Sequence, residues 1–284
     1  MTTDSVKLYQ GDCLEIMPMI PDGSVDAIIC DPPYGTTACK WDSVIPFTWH
    51  IKIGKKILYL ADALIEGYSF NYFEENKKSG MWEQLNRIIK PNGAICLFGS
   101  EPFSSALRMS NIKNYKYDWY FLKDRETGFL NCKIWNLYRK METISVFYKE
   151  QCLYYPILRN KPEENQRPQR KVGKSFGTYR EFKHNVERSI PIDKSYPNNI
   201  LSFSREKGVS LHNTQKPVEL MKYLINTYTL EGETVLDFTM GSGTTGVGCV
   251  ELDRKFIGIE TEYFDISQKR IKEAQDNYQG KLFT

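Results

Sequence analysis

The sequence predicts an α/β fold of the Rossmann-like type, built on a mostly parallel sheet. The first indication is the apolar run 27–30, which is typical of a buried parallel strand and leads directly into Asp31-Pro32-Pro33-Tyr34-Gly35. The second is a strand, a glycine-bearing turn, a helix and another strand ending in an acid, all between residues 234 and 260. Because open α/β sheets bind ligands at the carboxyl ends of their strands, both strand ends are candidate sites.

The residues that follow the first strand combine a stiff backbone with polar groups. Two successive prolines fix φ and remove two N–H donors, so the chain leaves the sheet rigidly and presents Asp31 and Tyr34 at the strand end. The carbonyl of Pro32 or Pro33 has no ladder partner there. An acid, a bare carbonyl and an aromatic ring suit a planar ring with an exocyclic amine. The alternative is a rigid turn in which Asp31 is a cap and Tyr34 covers the core.

Two other segments contribute candidate residues near the start of the chain. A short strand predicted from residue 7 stops at Asp12, which therefore also lies at a strand end. Asp12 either caps the brief helix that follows or contacts a ligand. The polar loop 36–42 contains Lys40 beside a tryptophan. This loop either grips a substrate strand or is an ordinary surface loop.

Composition limits the classes of protein that fit. The chain has 284 residues, of which 41% are hydrophobic and 26% charged, as in ordinary globular proteins. No apolar run reaches the roughly 18 residues that span a bilayer, and the N-terminus lacks the features of a signal peptide, so we expect no membrane association. Seven cysteines without a Cys-x-x-Cys pair, and three distant histidines, predict reduced thiols in a cytoplasmic protein and no metal site.

The middle of the chain carries most of the positive charge. The net charge is only +3, but residues 151–210 contain twelve Lys/Arg against six Asp/Glu. Basic side chains pair with phosphates, and Arg, Asn and Gln contact base edges, so this segment is a candidate nucleic-acid surface. A solvated basic surface is the alternative. Before it, strand-like runs at 117–122 and 143–148 predict an antiparallel edge of the sheet.

The last third of the chain has the pattern of a nucleoside-binding half. Residues 212–217 precede an apolar helix whose N-terminal amides can hold an anion, and Lys216 can neutralise a carboxylate there. Glycines in the turn 239–245 let the backbone approach a ligand closely. Glu260 then ends the second strand, where an acid suits ribose hydroxyls. The turn lacks the full Gly-x-Gly-x-x-Gly pattern, which disfavours a nicotinamide dinucleotide.

The Asp-Pro-Pro-Tyr run at 31–34 resembles the signature of the amino-methylating DNA methyltransferases. The order of parts, with this run early, the basic segment in the middle and the glycine turn last, resembles their permuted β group. The resemblance implies a circularly permuted, seven-stranded, mostly parallel sheet of the class I S-adenosylmethionine-dependent methyltransferase type. It also implies that the strand at Val235 lies beside the strand at Ala27, so that the two candidate loops meet.

The resemblance implies domains, ligands and site residues as well. A catalytic domain that binds S-adenosylmethionine comprises 1–150 and 211–284, and an inserted target-recognition region at 151–210 contacts double-stranded DNA. The implied catalytic residues are Asp31, Pro32, Pro33 and Tyr34. The implied cofactor-binding residues are Asp12, Thr214, Gln215, Lys216, Asp237, Gly241, Ser242, Gly243, Thr244 and Glu260. The DNA-binding candidates are Lys40, Arg167, Arg170, Lys171 and Arg180.

Departures from the family pattern include a side chain in the glycine turn and an inserted segment. Many relatives have phenylalanine where Thr239 stands, so the packing around the methionine part of the cofactor can differ. The segment 48–80 is an insertion in which apolar residues recur at helical spacing before a stop at Gly67. These residues are Ile57, Leu58, Leu60, Ala61, Leu64 and Ile65. Such a helix is buried either on its own domain or on a second subunit, which would make it a homodimer element.

An aspartate at the first position of the signature points, in this family, to N6 of adenine. The sequence therefore predicts methyl transfer to adenine N6 in a flipped-out base, with cytosine N4 as the nearest alternative. RNA and protein methyltransferases with a similar pocket usually begin the signature with asparagine and place the cofactor motif first. A non-catalytic nucleic-acid-binding module would account for the basic segment but not for two ligand loops.

Overall fold

The computed structural model describes residues 5–36, 42–127, 139–166, 190–204 and 215–282. The strands are β1 (Val6–Gln10), β2 (Val25–Cys30), β3 (His50–Ile53), β4 (Lys56–Tyr59), β5 (Ile89–Gly99), β6 (Tyr115–Thr127), β7 (Arg139–Phe147), β8 (Arg159–Asn160), β9 (Lys194–Ser195), β10 (Ile200–Ser202), β11 (Thr234–Asp237) and β12 (Lys255–Glu260). The helices are α1 (Cys13–Ile16), α2 (Leu60–Ile65), α3 (Phe70–Asn76), α4 (Met81–Ile88), α5 (Phe103–Ser110), α6 (Val218–Tyr228), α7 (Thr244–Glu251) and α8 (Phe264–Leu282).

The main sheet is mixed, with a parallel centre. Its strand order is β1-β12-β11-β2-β5-β7-β6-β10. All neighbours from β1 to β5 are parallel, whereas β7 runs antiparallel to β5 and β6. Val235 on β11 pairs with Ala27 on β2, as the family resemblance implied. The mostly parallel α/β class and its antiparallel edge are therefore confirmed.

The sheet contains one strand more than the seven predicted. The additional strand, β10, pairs in parallel with β6 through three residues. A three-residue strand is too short to give a periodic signal, and it lies in a stretch otherwise rich in polar residues. Because β10 belongs to the main sheet, the end of the predicted target-recognition region is part of that sheet.

The strands β2 and β11 meet at a topological switch point. Along this sheet the next strand after β2 is β5 on one side, whereas the next strand after β11 is β12 on the other. Such a reversal opens a crevice outside the carboxyl ends of the two strands. Asp31 directly follows β2, and Asp237 is the last residue of β11, so both lie at this crevice.

Apolar layers cover both faces of the sheet. All six residues of β2 are buried, as expected for a central parallel strand. Successive residues of a strand point to opposite faces. Accordingly, Ile29 packs in a cluster with Leu224 of α6 and Val250 of α7, whereas Ile28 packs in a second cluster with Leu85 of α4. The strand β2, which ends at the crevice, is thus packed against core residues on both faces of the sheet.

The insertion 48–80 begins as a hairpin, and the prediction that Ile57 and Leu58 are helical was wrong. They lie on β4, which pairs antiparallel with β3 around a turn that contains Gly54 at φ +59°. The short strand alternates, with Leu58 buried and Ile57 exposed, and four residues are too few to separate this pattern from helical spacing. The insertion has its own small core, formed by Ile51, Leu58, Ala63 and Phe73.

The predicted apolar helix survives only as the two turns of α2. Ala63 is buried in the small core, whereas Leu64 and Ile65 are 47% and 83% exposed. Burial on its own domain therefore accounts for part of the apolar pattern. A homodimer formed through the remaining side chains stays a prediction.

The residues Pro156–Asn198 form a compact unit separate from the unit of Met1–Tyr155 and Asn199–Thr284. The described part of the smaller unit contains the antiparallel pair β8 and β9. This unit is shorter at both ends than the target-recognition region predicted at 151–210. The role of this unit in recognising DNA stays a prediction.

The described cysteines are buried and form no disulfides, in agreement with the expectation of reduced core thiols; they are Cys13, Cys30, Cys96, Cys152 and Cys249. In the same described ranges, no helix is long and apolar enough to cross a membrane. Nor do the His, Cys, Asp and Glu side chains of that part of the chain gather in a group of three or more that could hold a metal ion.

Candidate active site

The two predicted strand ends share one cleft at the carboxyl edge of the sheet. The cleft has a volume of about 780 Å³, and both Asp31 and Gly241 line it. The predicted site residues at its wall are Asp12, Asp31, Pro32, Pro33, Tyr34, Gln215, Lys216, Asp237, Gly241, Ser242, Thr244 and Glu260. The insertion also borders this cleft, through His50, Lys52, Ile57 and Lys78. Two loops that lie about 210 residues apart in the sequence thus form one site.

Tyr34 is tied to Asp31 and stacked on the core. Its hydroxyl donates a short hydrogen bond to Asp31 Oδ1. Its ring stacks on Phe103, with centroids 5.1 Å apart and 29° between the planes. A planar ligand can therefore stack only on the opposite face of Tyr34. Burial, followed by the charge of Asp31, raises the pKa of Tyr34, so the hydroxyl stays protonated and remains a donor.

Asp42 fixes the backbone that follows Tyr34, and the sequence analysis did not single it out. Its Oδ1 accepts hydrogen bonds from the N–H groups of Tyr34 and Gly35 at 2.7 and 2.9 Å, and its Oδ2 accepts one from Thr36 at 2.9 Å. Gly35 has φ +67°, and a Cβ there would lie 2.8 Å from a methyl carbon of Val44. No described donor reaches the carbonyls of the two prolines. The loop is thus held by hydrogen bonds from its backbone amides to the Asp42 carboxylate, and the proline carbonyls are left available as acceptors.

Lys216 lies between two carboxylates. Its Nζ makes a short contact with Asp31 Oδ2 and lies 3.2 Å from Glu142 Oε2, while Glu142 Oε1 lies 2.7 Å from Lys123 Nζ. The Lys216 side chain is only 8% exposed, and its Nζ is 5.1 Å from the centre of the Phe98 ring. The sequence predicted a cofactor carboxylate as its partner. That role stays a prediction, and the structure gives Lys216 two protein carboxylates instead.

Mutual attraction keeps Lys216 and Glu142 ionised despite their burial. Burial opposes the charge on Lys216, but Asp31 and Glu142 outweigh it and raise the pKa of the ammonium above its usual range. Burial likewise opposes the charge on Glu142, but Lys216 and Lys123 lower its pKa to about 2. Glu142 was missed by the sequence analysis, because a single acid within β7 has no pattern that marks it as part of a site.

The glycine turn presents bare backbone to the cleft. Gly241 has φ +52°, and no atom lies within 4 Å of the position that a Cβ would take. Its N–H donates to Glu260 Oε2 at 2.7 Å, whereas Glu260 Oε1 accepts the N–H groups of Thr261, Glu262 and Tyr263 at 3.0, 3.1 and 3.3 Å. Oε2 keeps a second lone pair, so Glu260 can still accept a ribose hydroxyl through that oxygen. Open space over a glycine, beside an acid and in a cleft of this size, fits the adenosyl part of S-adenosylmethionine.

Asp237 supports the turn from beneath. Its Oδ2 accepts a hydrogen bond from the Thr245 hydroxyl at 2.6 Å, and its Oδ1 accepts one from the N–H of Thr239 at 3.2 Å. The side chain is only 3% exposed, and burial raises the pKa of its carboxyl group to about 7. These contacts give Asp237 a role in holding the turn together. A direct contact with the cofactor stays a prediction.

Two other predicted residues have a structural role. Asp12 accepts the N–H of Leu14 at 2.7 Å and so caps α1, which confirms the capping alternative, although Asp12 also lines the cleft. The structure does not bring Gly243 to the cleft wall. This glycine has φ +78° and packs against α8, where a Cβ would lie 3.0 Å from the Cβ of Ser267. Close approach of α8 therefore explains the glycine.

Arg270 is a further residue that the sequence analysis missed. It lies on α8 and reaches the glycine turn, where its Nη1 donates to the carbonyl of Ser242 at 2.6 Å and to the Ser242 hydroxyl at 3.0 Å.

Gln215 Oε1 is buried and has no hydrogen-bond partner within the described chain. The remaining candidates lie outside the described residues and stay predictions: Lys40, Arg167, Arg170, Lys171, Arg180 and Thr214.

Sequence comparison places this chain among DNA methylases. The model of the DNA methylase family matches residues 25–269. Type II methyltransferase M.HinfI from Haemophilus influenzae is 28% identical over an alignment of 286 positions. The alignment covers 95% of this chain and 69% of that protein. Type II methyltransferase M2.MboI from Moraxella bovis is 27% identical over 273 residues, and the alignment covers 94% of this chain and 87% of that protein.

Solved structures agree on the fold. The crystal structure of the M1.HpyAVI–SAM complex matches with a TM-score of 0.54 and 22% identity, covering 94% of this chain and 98% of that one. The PvuII DNA methyltransferase, described as cytosine-N4-specific, matches with a TM-score of 0.57 and 18% identity, with coverages of 98% and 93%. The family model spans both loops of the cleft, and this chain therefore belongs to the DNA methylase family of N6 and N4 methyltransferases.

Proposed function

We propose that this protein methylates N6 of adenine in double-stranded DNA, with S-adenosylmethionine as the methyl donor. Membership of the family gives DNA methylation at an exocyclic amine, either adenine N6 or cytosine N4. The observation that carries the proposal is that Asp31 and Gly241 line one cleft. The aspartate that opens the Asp-Pro-Pro-Tyr run favours adenine, since the cytosine enzymes that it resembles more often have serine there.

The task of the protein is to orient a weak nucleophile. When bound, S-adenosylmethionine supplies an electrophilic methyl group on a sulfonium sulfur, and Asp12, Gly241 and Glu260 would hold its adenosyl part. The lone pair of the target amine is delocalised into the base. Asp31 and the carbonyl of Pro32 or Pro33 accept hydrogen bonds from the two N–H groups of the amine. These bonds localise the lone pair on nitrogen and align it with the methyl group.

The same acceptors stabilise the charge that develops during transfer. Positive charge grows on the amine nitrogen as its bond to the methyl carbon forms and the methyl–sulfur bond breaks, so the carboxylate of Asp31 binds the transition state more strongly than the ground state. The methylated amine then releases one proton to water. Tyr34 holds Asp31 through its hydroxyl, and the face of Tyr34 opposite Phe103 is the one on which a base can stack. The base must leave the duplex to reach this position.

The basic segment is proposed to hold the DNA. Its candidate residues, Arg167, Arg170, Lys171 and Arg180, together with Lys40 in the loop after Gly35, have the chemistry to pair with phosphates and base edges. Contacts to phosphates would position the duplex, and contacts to base edges would select the site. This assignment rests on the sequence alone.

The test is methyl transfer from radiolabelled S-adenosylmethionine to unmethylated genomic DNA, followed by digestion and separation of the nucleosides. We expect N6-methyladenine, whereas N4-methylcytosine would establish the alternative. The variant Asp31→Asn should lose transfer by a factor of at least a thousand while keeping cofactor affinity within about threefold. The exposed Asp276→Asn is the matched control, and it should transfer at the wild-type rate. Turnover retained in Asp31→Asn would contradict the mechanism.

A further inference from the structure

Each oxygen of Asp31 already has one donor, and one of these donors is a cation that opposes its proposed task. Its Oδ1 accepts the Tyr34 hydroxyl, and its Oδ2 is in short contact with the Lys216 ammonium. An amine that donates an N–H to Oδ2 competes for space and for the negative charge with that ammonium. The amine also becomes positively charged during transfer, so a second cation held on the same oxygen opposes the reaction.

Glu142 is the group that can take the ammonium away from Asp31. Its Oε2 lies 3.2 Å from Lys216 Nζ, is buried, and accepts no hydrogen bond from the described residues. Its other oxygen is held by Lys123 at 2.7 Å, so the carboxylate that faces Lys216 is fixed by a second partner. A small displacement of the ammonium from Asp31 toward Glu142 would keep it paired.

We propose that Glu142 is a positioning residue for methyl transfer, which draws the Lys216 ammonium off Asp31 so that Asp31 can accept the target amine. The proposal rests on the proposed function, because it assumes that an exocyclic amine reaches Asp31. Burial supports it: Lys216 is 8% exposed and Glu142 14%, so the ammonium has little contact with water and depends on its carboxylate partners. Glu142 acts through Lys216 and does not touch the reacting atoms.

A cycle of four proteins tests this role: wild type, Glu142→Gln, Lys216→Met and the double variant. Each is assayed by single-turnover methyl transfer at saturating DNA and cofactor, with cofactor affinity measured by calorimetry. Glu142→Gln should lower the transfer rate at least tenfold and leave cofactor affinity within twofold. In the Lys216→Met background the same change should have no effect, because no ammonium then competes for Asp31. A purely structural role would give equal losses in both backgrounds and would overturn the proposal.

The control is Glu101→Gln, which also removes a carboxylate from an ion pair, here with Arg108 at 2.6 Å and away from the cleft. It should transfer at the wild-type rate. Should thermal denaturation reveal that Glu142→Gln does not fold, Glu142→Asp replaces it in the same cycle, since a shorter acid withdraws from Lys216 and retains a charge for Lys123. A wild type that methylates no base overturns the proposed function itself. An active wild type with equal losses in both backgrounds overturns this inference alone.

Discussion

The hydroxyl of Thr239 donates a hydrogen bond to the main-chain carbonyl of Asp31 over 3.2 Å. The same hydroxyl lies 2.9 Å from Cys30 Sγ. This contact joins the end of β11 to the end of β2, and hence the cofactor turn to the loop that presents the acid. Relatives with phenylalanine at this position cannot make it, because a phenyl ring has no donor.

Replacing Thr239 with valine removes this link while keeping the shape of the side chain. We expect Thr239→Val to lose about 1 kcal/mol of unfolding free energy, the usual net value of one hydrogen bond, and to slow methyl transfer several-fold as Asp31 becomes less well fixed. Chemical denaturation and single-turnover assays measure the two effects. Thr239→Ser keeps the hydroxyl and is the control; equal transfer rates in the two variants would contradict the role of the bond.

Asp42 gives a second prediction, since three backbone amides of the loop converge on its carboxylate. In Asp42→Asn one of these amides faces an N–H group instead of an acceptor, so the loop loses its geometry. We expect a loss of roughly 1–3 kcal/mol in stability and a tenfold or greater loss in transfer rate, with cofactor affinity unchanged. The control Asp22→Asn removes only an ion pair between Arg87 and a side chain that is 76% exposed, so its stability should stay within about 1 kcal/mol of wild type and its transfer rate should be unchanged. Wild-type transfer by Asp42→Asn would disprove the assignment.

The sequence predicted those parts of the site that are encoded locally. Asp31 and Gly241 each follow an apolar strand, and parallel strands bring their ends to one edge, so a shared cleft could be expected. Asp42, Glu142 and Arg270 could not be predicted in the same way. Each of these residues contacts a group that only the folded chain brings close to it. An isolated charged residue has no sequence pattern that marks it as part of a site.

The elements of the fold that the sequence did not predict correctly have a similar explanation. The residues of β4 and β10 form runs of four and three, which are too short to separate alternation from helical spacing. Their conformation is decided by pairing with β3 and β6, so it depends on contacts that are not visible along the chain. Longer strands such as β6 and β7 carry more signal and were predicted from the runs 117–122 and 143–148, although they begin at Tyr115 and Arg139.

The glycine turn gives a third prediction, which has a matched control in the same chain. Gly241 and Gly23 have φ values of +52° and +57°, and at both positions a Cβ would meet no atom within 4 Å. Both alanine variants should therefore lose a similar 1–2 kcal/mol of stability through backbone strain. Only Gly241→Ala places a methyl group in the cleft, so only this variant should weaken cofactor binding, by at least tenfold. Calorimetry decides, and equal affinities in the two variants would argue against a cofactor at Gly241.

The basic segment gives a fourth prediction. If Arg170 pairs with a phosphate, Arg170→Ala should weaken binding of all DNA sequences alike and reduce the slope of log affinity against log salt concentration by about one. Fluorescence anisotropy between about 50 and 200 mM salt measures the slope. Lys269→Ala removes a charge from a side chain on α8 that is 79% exposed, and its slope should match the wild type. A wild-type slope in Arg170→Ala would remove this residue from the DNA surface.

The pKa of about 7 at Asp237 predicts how stability depends on pH. Because burial raises the pKa of this carboxyl group from its ordinary 3.8, the folded state binds a proton between about pH 4 and 7 that the unfolded state does not bind. The free energy of unfolding contributed by this group is therefore present below pH 4 and is lost as the pH rises to 7, by up to roughly 4 kcal/mol. Asp237→Asn cannot titrate, so its unfolding free energy, measured by chemical denaturation from pH 5 to 8, should lack this decline. Because the Thr245 hydroxyl bond opposes the rise in pKa, Thr245→Val should extend the decline to higher pH, and parallel pH profiles in all three proteins would show that Asp237 keeps its charge.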